Sequence, residues 1–170
     1  MSLSDEIAAA WCNGHSLDAL MTRLSQETGA RAAGGWSLSD RTLELRGFGA
    51  VRDMADDVRE GFREATRKVS LDQTGLGIVK AVTANAPAIA RRDPTLTGLP
   101  RSASWIVKFE AENSLAVPIR SSDTGVILGA LAIATAADVT ENDSLWRRLL
   151  ALADQMSKSA FAERKSSDEV

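Results

Sequence analysis

Apolar residues recur every three or four positions in several stretches of the chain, the spacing that gives a helix one buried face. The first stretch covers residues 4–28 and is interrupted by Asn13-Gly14, a pair that favours a turn. Two further stretches cover residues 53–65 and 75–84, and a long terminal one follows the capping motif Thr140-Glu-Asn-Asp143. The pattern predicts two short helices, or one kinked helix, at the start of the chain and three helices later.

Three residues are suited to begin or end these helices. Ser16 and Asp72 carry side-chain oxygens that can accept a hydrogen bond from a free backbone N–H, so they are predicted to cap the helices that follow them. Gly29 is predicted to end the helix before it, because glycine readily takes the left-handed conformation found at helix ends.

Strand patterns lie between the helices. Residues 31–37 and 41–47 flank Leu38-Ser39-Asp40, and polar and apolar positions alternate in the second of them, which predicts a β-hairpin. Residues 114–120 and 126–135 predict a clearer hairpin around a polar loop that contains glycine. Because hairpins join antiparallel strands, we expect an α+β fold with a central antiparallel sheet of about five to six strands and helices packed on it.

Four shorter segments complete the organisation. Short strands are predicted at residues 68–71 and 88–90. Residues 91–104, with two prolines and a glycine, are predicted to form a loop, and long structured loops in compact domains are often functional. Residues 105–112 are apolar enough for either a helix or a strand, and the pattern leaves both open.

Composition narrows the class of protein. The chain has 170 residues and a net charge of −3, with 44% apolar and 25% charged residues, so we expect one soluble, folded domain and no nucleic-acid partner. The longest apolar run, residues 126–137, is too short to span a membrane, and the acidic start lacks the features of a signal peptide. The expected location is the cytoplasm.

The inventory of reactive side chains is small. The chain has one cysteine, Cys12, one histidine, His15, and no tyrosine, which excludes disulfide frameworks and zinc fingers within one chain. Cys12 and His15 have a spacing that would put them on one helical face, but Asn13-Gly14 lies between them and no third ligand is indicated. We therefore predict no metal site and no catalytic site.

Three segments together resemble the GAF domain, a small-molecule sensing fold. The first is Gly35-Trp-Ser-Leu-Ser-Asp-Arg-Thr-Leu-Glu-Leu-Arg-Gly-Phe-Gly49, similar to the opening hairpin of that family. The second runs from Val69 to Ile89 and includes Gly75-Leu-Gly77 and Pro87. The third is Asn113-Ser-Leu-Ala-Val-Pro-Ile-Arg120, followed by Val126-Ile-Leu-Gly-Ala-Leu-Ala-Ile133 and the capping motif of the last helix.

The resemblance covers residues 16–162, leaving residues 1–15 as an N-terminal helical extension and residues 163–170 as a polar C-terminal tail. It implies that the first and last helices lie together on one face of the sheet. It also implies a non-enzymatic sensory or regulatory module, which binds an unidentified small molecule and acts in signal transduction through a separate protein. The alternative is a scaffold for homodimerisation or protein interaction whose pocket is vestigial.

In such a domain the pocket lies between the sheet and the segments that cover one face. Aromatic residues would supply its walls, and arginines or Lys108 would meet an anionic group; the other reading is that the aromatics are core and the charges a solvated rim. The candidate ligand-binding residues are Trp36, Phe48, Arg91, Arg92, Trp105 and Phe109.

The same resemblance includes branches that this chain does not fit. Free methionine sulfoxide reductases use cysteines within the domain body, and bilin-binding members attach their chromophore to a pocket cysteine beside a histidine. Cys12 and His15 both precede the body, which disfavours the reductase activity, covalent bilin and His-ligated haem. The terminal helices often join two subunits in this family, so we expect a homodimer through them.

Overall fold

The computed structural model describes residues 2–141 and 143–168, with the side chains of the last helix described through residue 158. Within these residues, six helices and six strands are present, with one short 3-10 helix. The elements are α1 (Leu3–Cys12), α2 (Asp18–Thr28), β1 (Ala32–Ser39), β2 (Thr42–Ala50), α3 (Asp56–Thr66), β3 (Lys68–Ser70), α4 (Gly77–Ala84), β4 (Ala88–Arg91), the 3-10 helix (Pro94–Leu96), α5 (Pro100–Lys108), β5 (Asn113–Arg120), β6 (Ile127–Thr135) and α6 (Ser144–Asp168).

The strands form one antiparallel sheet in the order β3-β2-β1-β6-β5-β4. Both predicted hairpins are present, as β1–β2 and β5–β6, and the α+β class is confirmed. The first hairpin turns at Asp40 and Arg41, which overlaps the predicted turn only at Asp40. This residue takes a positive φ of 54° that aspartate tolerates better than most residues.

The two faces of the sheet carry side chains of different size. Successive residues of a strand point to opposite faces. On β5 and β6 the larger side chains, Leu115, Val117, Leu131 and Ile133, pack against α1, α2 and α6. On the other face the same two strands bear mainly alanines, and that face is covered by α3, α4 and α5. The first and last helices therefore share one face of the sheet, as expected.

Helix α2 lies unusually close to β2, and two glycines make this possible. A Cβ atom on Gly49 would lie 2.2 Å from the backbone nitrogen of Thr22, and one on Gly47 would lie 2.4 Å from the carbonyl carbon of Leu17. Asp18 then reaches across to accept a hydrogen bond from the Phe48 N–H at 2.8 Å. The close approach fixes the position of Phe48, which points to the opposite face.

Two predictions about the covering helices were wrong. Helix α5 begins at Pro100, inside the predicted loop, because proline at the first helical position loses no hydrogen bond. Asp72 does not cap α4, because this helix begins only at Gly77. The carboxylate of Asp72 instead pairs with Arg41. The N–H of Gly77 donates to Ser102 Oγ at 2.8 Å, so a side chain of α5 supplies the cap.

At the other helix ends, residues of the predicted type are present, but some of them act from a different position than expected. Gly29 ends α2 with φ of 69°. Ser16 Oγ accepts a hydrogen bond from the Asp18 N–H at 3.2 Å, although Leu17 is the residue that directly precedes α2. The Asp143 carboxylate accepts a hydrogen bond from the Leu145 N–H at 3.0 Å, so the last residue of the predicted capping motif is the one that caps α6. Helix α6 continues through Asp168, into the segment predicted as a tail.

Among the residues that the structure describes, no helix is both long enough and apolar enough to cross a membrane.

Candidate functional site

The site is a cavity between the middle of the sheet and helices α3, α4 and α5. Its floor consists of two rows of small residues that run across three neighbouring strands. Gly34, Ala132 and Ala116 are paired in one row, and Ala32, Ala134 and Ser114 in the next. Small residues on the inner strands of a sheet are normally covered by larger side chains from the helices that pack on it.

Ala132 shows that this covering is incomplete. It lies on β6, between β1 and β5, yet its side chain remains partly exposed. Its neighbours on the opposite face, Leu131 and Ile133, are fully buried. The space above Ala132 is therefore unfilled by protein atoms, and it lies on one face of the sheet only.

Aromatic rings form the wall of the cavity. Phe62 of α3 lies at their centre, with its ring centroid 4.9 Å from that of Phe48, 5.0 Å from Phe109 and 5.1 Å from Trp105. The ring of Trp36 lies 6.1 Å away and folds back over Gly34, where a Cβ atom would be only 2.6 Å from it. Edge-to-face packing of this kind stabilises aromatic pairs beyond the area they bury.

Polar groups in the wall are already hydrogen-bonded. The indole N–H of Trp36 donates to the Thr66 carbonyl at 3.0 Å, and the Thr66 hydroxyl donates to the Phe62 carbonyl at 2.8 Å. Ser102 accepts from Gly77, as described above. These bonds join α3 to β1 and α5 to α4, so they hold the covering helices in place over the cavity.

Two arginines fix the wall from outside the cavity. Arg63 donates to the Phe48 carbonyl at 2.9 Å and to Asp18 at 3.1 Å, and its guanidinium lies 5.6 Å from the Phe48 ring centroid. Arg31 donates from Nε to the Phe109 carbonyl at 3.0 Å and pairs with acidic side chains on both sides. Both guanidinium groups therefore form their hydrogen bonds and ion pairs outside the cavity.

The structure brings four of the six candidate residues together. Trp36, Phe48, Trp105 and Phe109 all line the cavity. Arg91 and Arg92 do not line it: the first pairs with Asp138 at 2.6 Å, and the second donates to the Ala111 carbonyl at 2.6 Å. Lys108, considered for the same anionic role, places its ammonium 4.3 Å from the Trp105 ring centroid and is also absent from the lining.

Two residues that shape the cavity were not among the candidates. Phe62 was visible in the sequence only as one member of an apolar helical stripe, which does not distinguish a cavity wall from core. Ser102 lay in a segment predicted to be a loop, and its role depends on contact with a helix 25 residues away along the chain. No local pattern could have revealed either role.

Cys12 and His15 lie away from the cavity. Cys12 ends α1, which packs on the opposite face of the sheet, and both side chains are exposed. Among the described residues, no group of three or more His, Cys, Asp or Glu side chains could hold a metal ion.

An antiparallel sheet with terminal helices on one face and a helix-covered cavity on the other defines a class of α+β domain, and sequence comparison shows which one. The family model of the GAF domain matches residues 15–159. The chain belongs to the GAF domain family, a sensory and regulatory fold. No curated protein matches the chain by sequence.

Several solved structures share the fold. The phycocyanobilin-bound GAF domain of a cyanobacterial phytochrome superposes with a TM-score of 0.63 at 10% identity, over 98% of this chain and 88% of that one. The GAF domain of a two-component sensor histidine kinase from Bacillus halodurans gives 0.62 at 14% identity, over 89% and 98%. Free methionine-R-sulfoxide reductase from Neisseria meningitidis, in complex with its substrate, gives 0.60 at 18% identity, over 96% and 87%. At these identities the likeness shows the fold alone.

Proposed function

We propose that this protein is a non-enzymatic GAF module that binds a small molecule in the cavity and passes its state of occupancy to a separate signalling protein in the cytoplasm. The observation that carries the proposal is the partly exposed Ala132 in the centre of the sheet, beneath a wall of aromatic rings. Ligand sites are typically concave and mostly apolar. A face that served only as core would have filled this space with a larger side chain.

The arrangement of the sheet supports the transmission step. Ala132, on the cavity side of β6, is flanked along the strand by Leu131 and Ile133, which pack on the terminal helices. A ligand that shifts the strand on one face therefore also shifts the side chains that hold α1 and α6 on the other.

Filling the cavity tests the proposal directly. Ala132→Leu adds apolar volume above the floor, whereas Ala151→Leu adds the same volume at an exposed position of α6 and serves as its matched control. A fragment library screened by ligand-observed NMR should yield compounds that bind wild type and Ala151→Leu but not Ala132→Leu. If no compound binds wild type, or if Ala132→Leu binds the same compounds equally well, the ligand-binding function is wrong.

A scaffold function through the terminal helices is the second candidate. Leu3 and Leu20 on the first two helices, and Leu145 and Leu152 on α6, are only partly buried, which leaves apolar area for a second copy. Trp11 and Trp146 do not add to this area, because they are only 9% and 8% exposed within the single chain. Sedimentation equilibrium tests this candidate: a dimer that Leu145→Glu separates into monomers supports it, and a monomer at high concentration contradicts it.

Reductase chemistry is disfavoured by the position of the only cysteine. Cys12 lies across the sheet from the cavity, so its thiol is not placed to meet a substrate bound there. We expect the protein to show no reduction of free methionine-R-sulfoxide with a dithiol reductant. Turnover that disappears in Cys12→Ser would overturn the non-enzymatic assignment.

A further inference from the structure

We infer that the cavity selects uncharged, apolar molecules no larger than about a single aromatic ring. This inference rests on the proposed function and gives its ligand a chemical class. Three features of the cavity support it. Its described lining has no charged side chain, most of its polar side chains are already hydrogen-bonded within the protein, and the space is small.

Among the residues that the structure describes, no charged side chain lines the cavity. Lys108, Arg63 and Arg31 contact wall residues through an aromatic ring or a backbone carbonyl, and none of them belongs to the lining. An ion entering this space would lose its hydration without gaining a partner of opposite charge. Because such burial is strongly unfavourable, the wall rejects carboxylates, phosphates and ammonium groups.

Few hydrogen-bonding groups remain for a ligand. The Trp36 N–H and the Thr66 hydroxyl each donate to a backbone carbonyl within the wall. Ser102 already accepts from Gly77, so its hydroxyl hydrogen, the Ser114 hydroxyl and the accepting oxygen of Thr66 are what the side chains of the lining can still offer. A ligand can therefore make only a few hydrogen bonds to them, and most of its surface must be apolar.

The cavity measures about 60 Å³. An apolar cavity of about 150 Å³ is enough to bind benzene or xenon. A molecule of very few heavy atoms therefore fits the present space, and a single aromatic ring requires one wall residue to move. Trp105 is suited to move, because it is the aromatic wall residue that remains partly exposed.

Xenon, benzene and benzoate are the probes that test this class, since benzoate carries the same ring with a charge. Xenon under pressure should shift the backbone amide signals of Gly34, Gly77 and Ala132 in a saturable manner. Benzene should bind at the same amides, and benzoate should bind at least about 100-fold more weakly, because its carboxylate would be buried without a partner.

Two variants tie the binding to the cavity. Ala132→Leu should abolish xenon and benzene binding, with Ala151→Leu as the control that retains it. Gly77→Ala adds one methyl group where the nearest atoms lie at 3.6 Å and 3.8 Å, so it should fold normally and still weaken xenon binding. This second variant keeps the test decisive if the first one fails to fold.

The outcomes separate this inference from the proposed function. Benzoate binding as tightly as benzene at these amides would overturn the ligand class and leave the ligand-binding function intact. The same holds if xenon and benzene have no effect but charged or polar fragments bind and Ala132→Leu abolishes that binding. If no probe or fragment of any class binds, both the class and the function are wrong.

Discussion

Phe62 joins the rings of the cavity wall, so replacing it is the most direct test of how that wall is held together. Its side chain is 9% exposed and lies at ring distances of 4.9 to 6.1 Å from four other aromatic residues. Phe62→Ala removes the ring beside an existing cavity, where the neighbours have little to collapse onto. We expect it to cost about 4 kcal/mol of unfolding free energy, within the range for buried phenylalanine.

Phe62→Leu separates the aromatic contribution from the loss of volume. Leucine keeps most of the buried apolar area but loses the ring pairs, which are each worth roughly 0.5–1.5 kcal/mol and are not additive. We expect it to cost about 1.5 kcal/mol. At roughly 2–4 °C for each kcal/mol in a chain of this size, the alanine variant should melt about 8–16 °C below wild type.

Urea denaturation followed by circular dichroism measures these costs, and Val107→Ala in α5 is the control. Val107 is 53% exposed, so its truncation should change the free energy by less than about 0.5 kcal/mol. Benzene at 100 times its dissociation constant should return about 2.7 kcal/mol to Phe62→Ala, since it binds only the folded state. If the alanine variant costs no more than the control, or if leucine and alanine cost the same, the Phe62 ring does not hold the wall together.

Three further predictions concern the framework around the site. Gly49→Ala should cost about 3 kcal/mol by forcing α2 from β2, whereas Gly77→Ala should be neutral or about 0.5 kcal/mol stabilising; equal effects in thermal melts would contradict the close approach. Asp143→Ala should cost about 1 kcal/mol through loss of the α6 cap, and an unchanged melting temperature would show that the cap is dispensable. The side-chain and backbone hydrogen bonds from Thr95 lower the pKa of Asp93. The ionised Asp93 carboxylate therefore stabilises the fold fully at pH values above its unfolded-state pKa, and this stabilisation is lost as pH falls through its folded-state pKa. Carbon-detected NMR titration should show a higher Asp93 midpoint in Thr95→Val, and no change would contradict the assigned cause.

The sequence could predict those parts of the fold that depend on neighbours along the chain. The β5–β6 hairpin was predictable because both strands are apolar and the loop between them is polar. The start of α5 was not, because Pro100 and Gly98 are typical of loops and proline is equally favourable at the first position of a helix. The start of α4 was missed because its cap comes from Ser102 in another helix, while Asp72 offered a local cap that the chain does not use.

The same distinction, between features set by neighbours along the chain and features set by distant residues, applies to the candidate site. Trp36 and Phe48 lie on the two strands of a predicted hairpin, but they share a face only because the pairing register shifts between Gly35 and Trp36, which the sequence pattern did not predict. The floor was harder to predict, because the row of Gly34, Ala132 and Ala116 depends on the register of β6 between two partners. Arg91 was considered for an anionic ligand, but Asp138, which pairs with it, is 47 residues away along the chain.

The four tryptophans divide evenly between the two sides of the sheet. Trp36 and Trp105 belong to the cavity wall, whereas Trp11 and Trp146 belong to the core formed with the terminal helices. The chain has no tyrosine, so tryptophan alone gives its near-ultraviolet fluorescence. A variant without Trp11 and Trp146 would report the cavity side alone, because quenching of Trp36 and Trp105 would follow occupation of the cavity. The difference from the wild-type spectrum would then give the shift of Trp11 and Trp146 that follows rearrangement of the helices. The molecule thus carries an intrinsic optical label on each side of the sheet, at both ends of the transmission path proposed above.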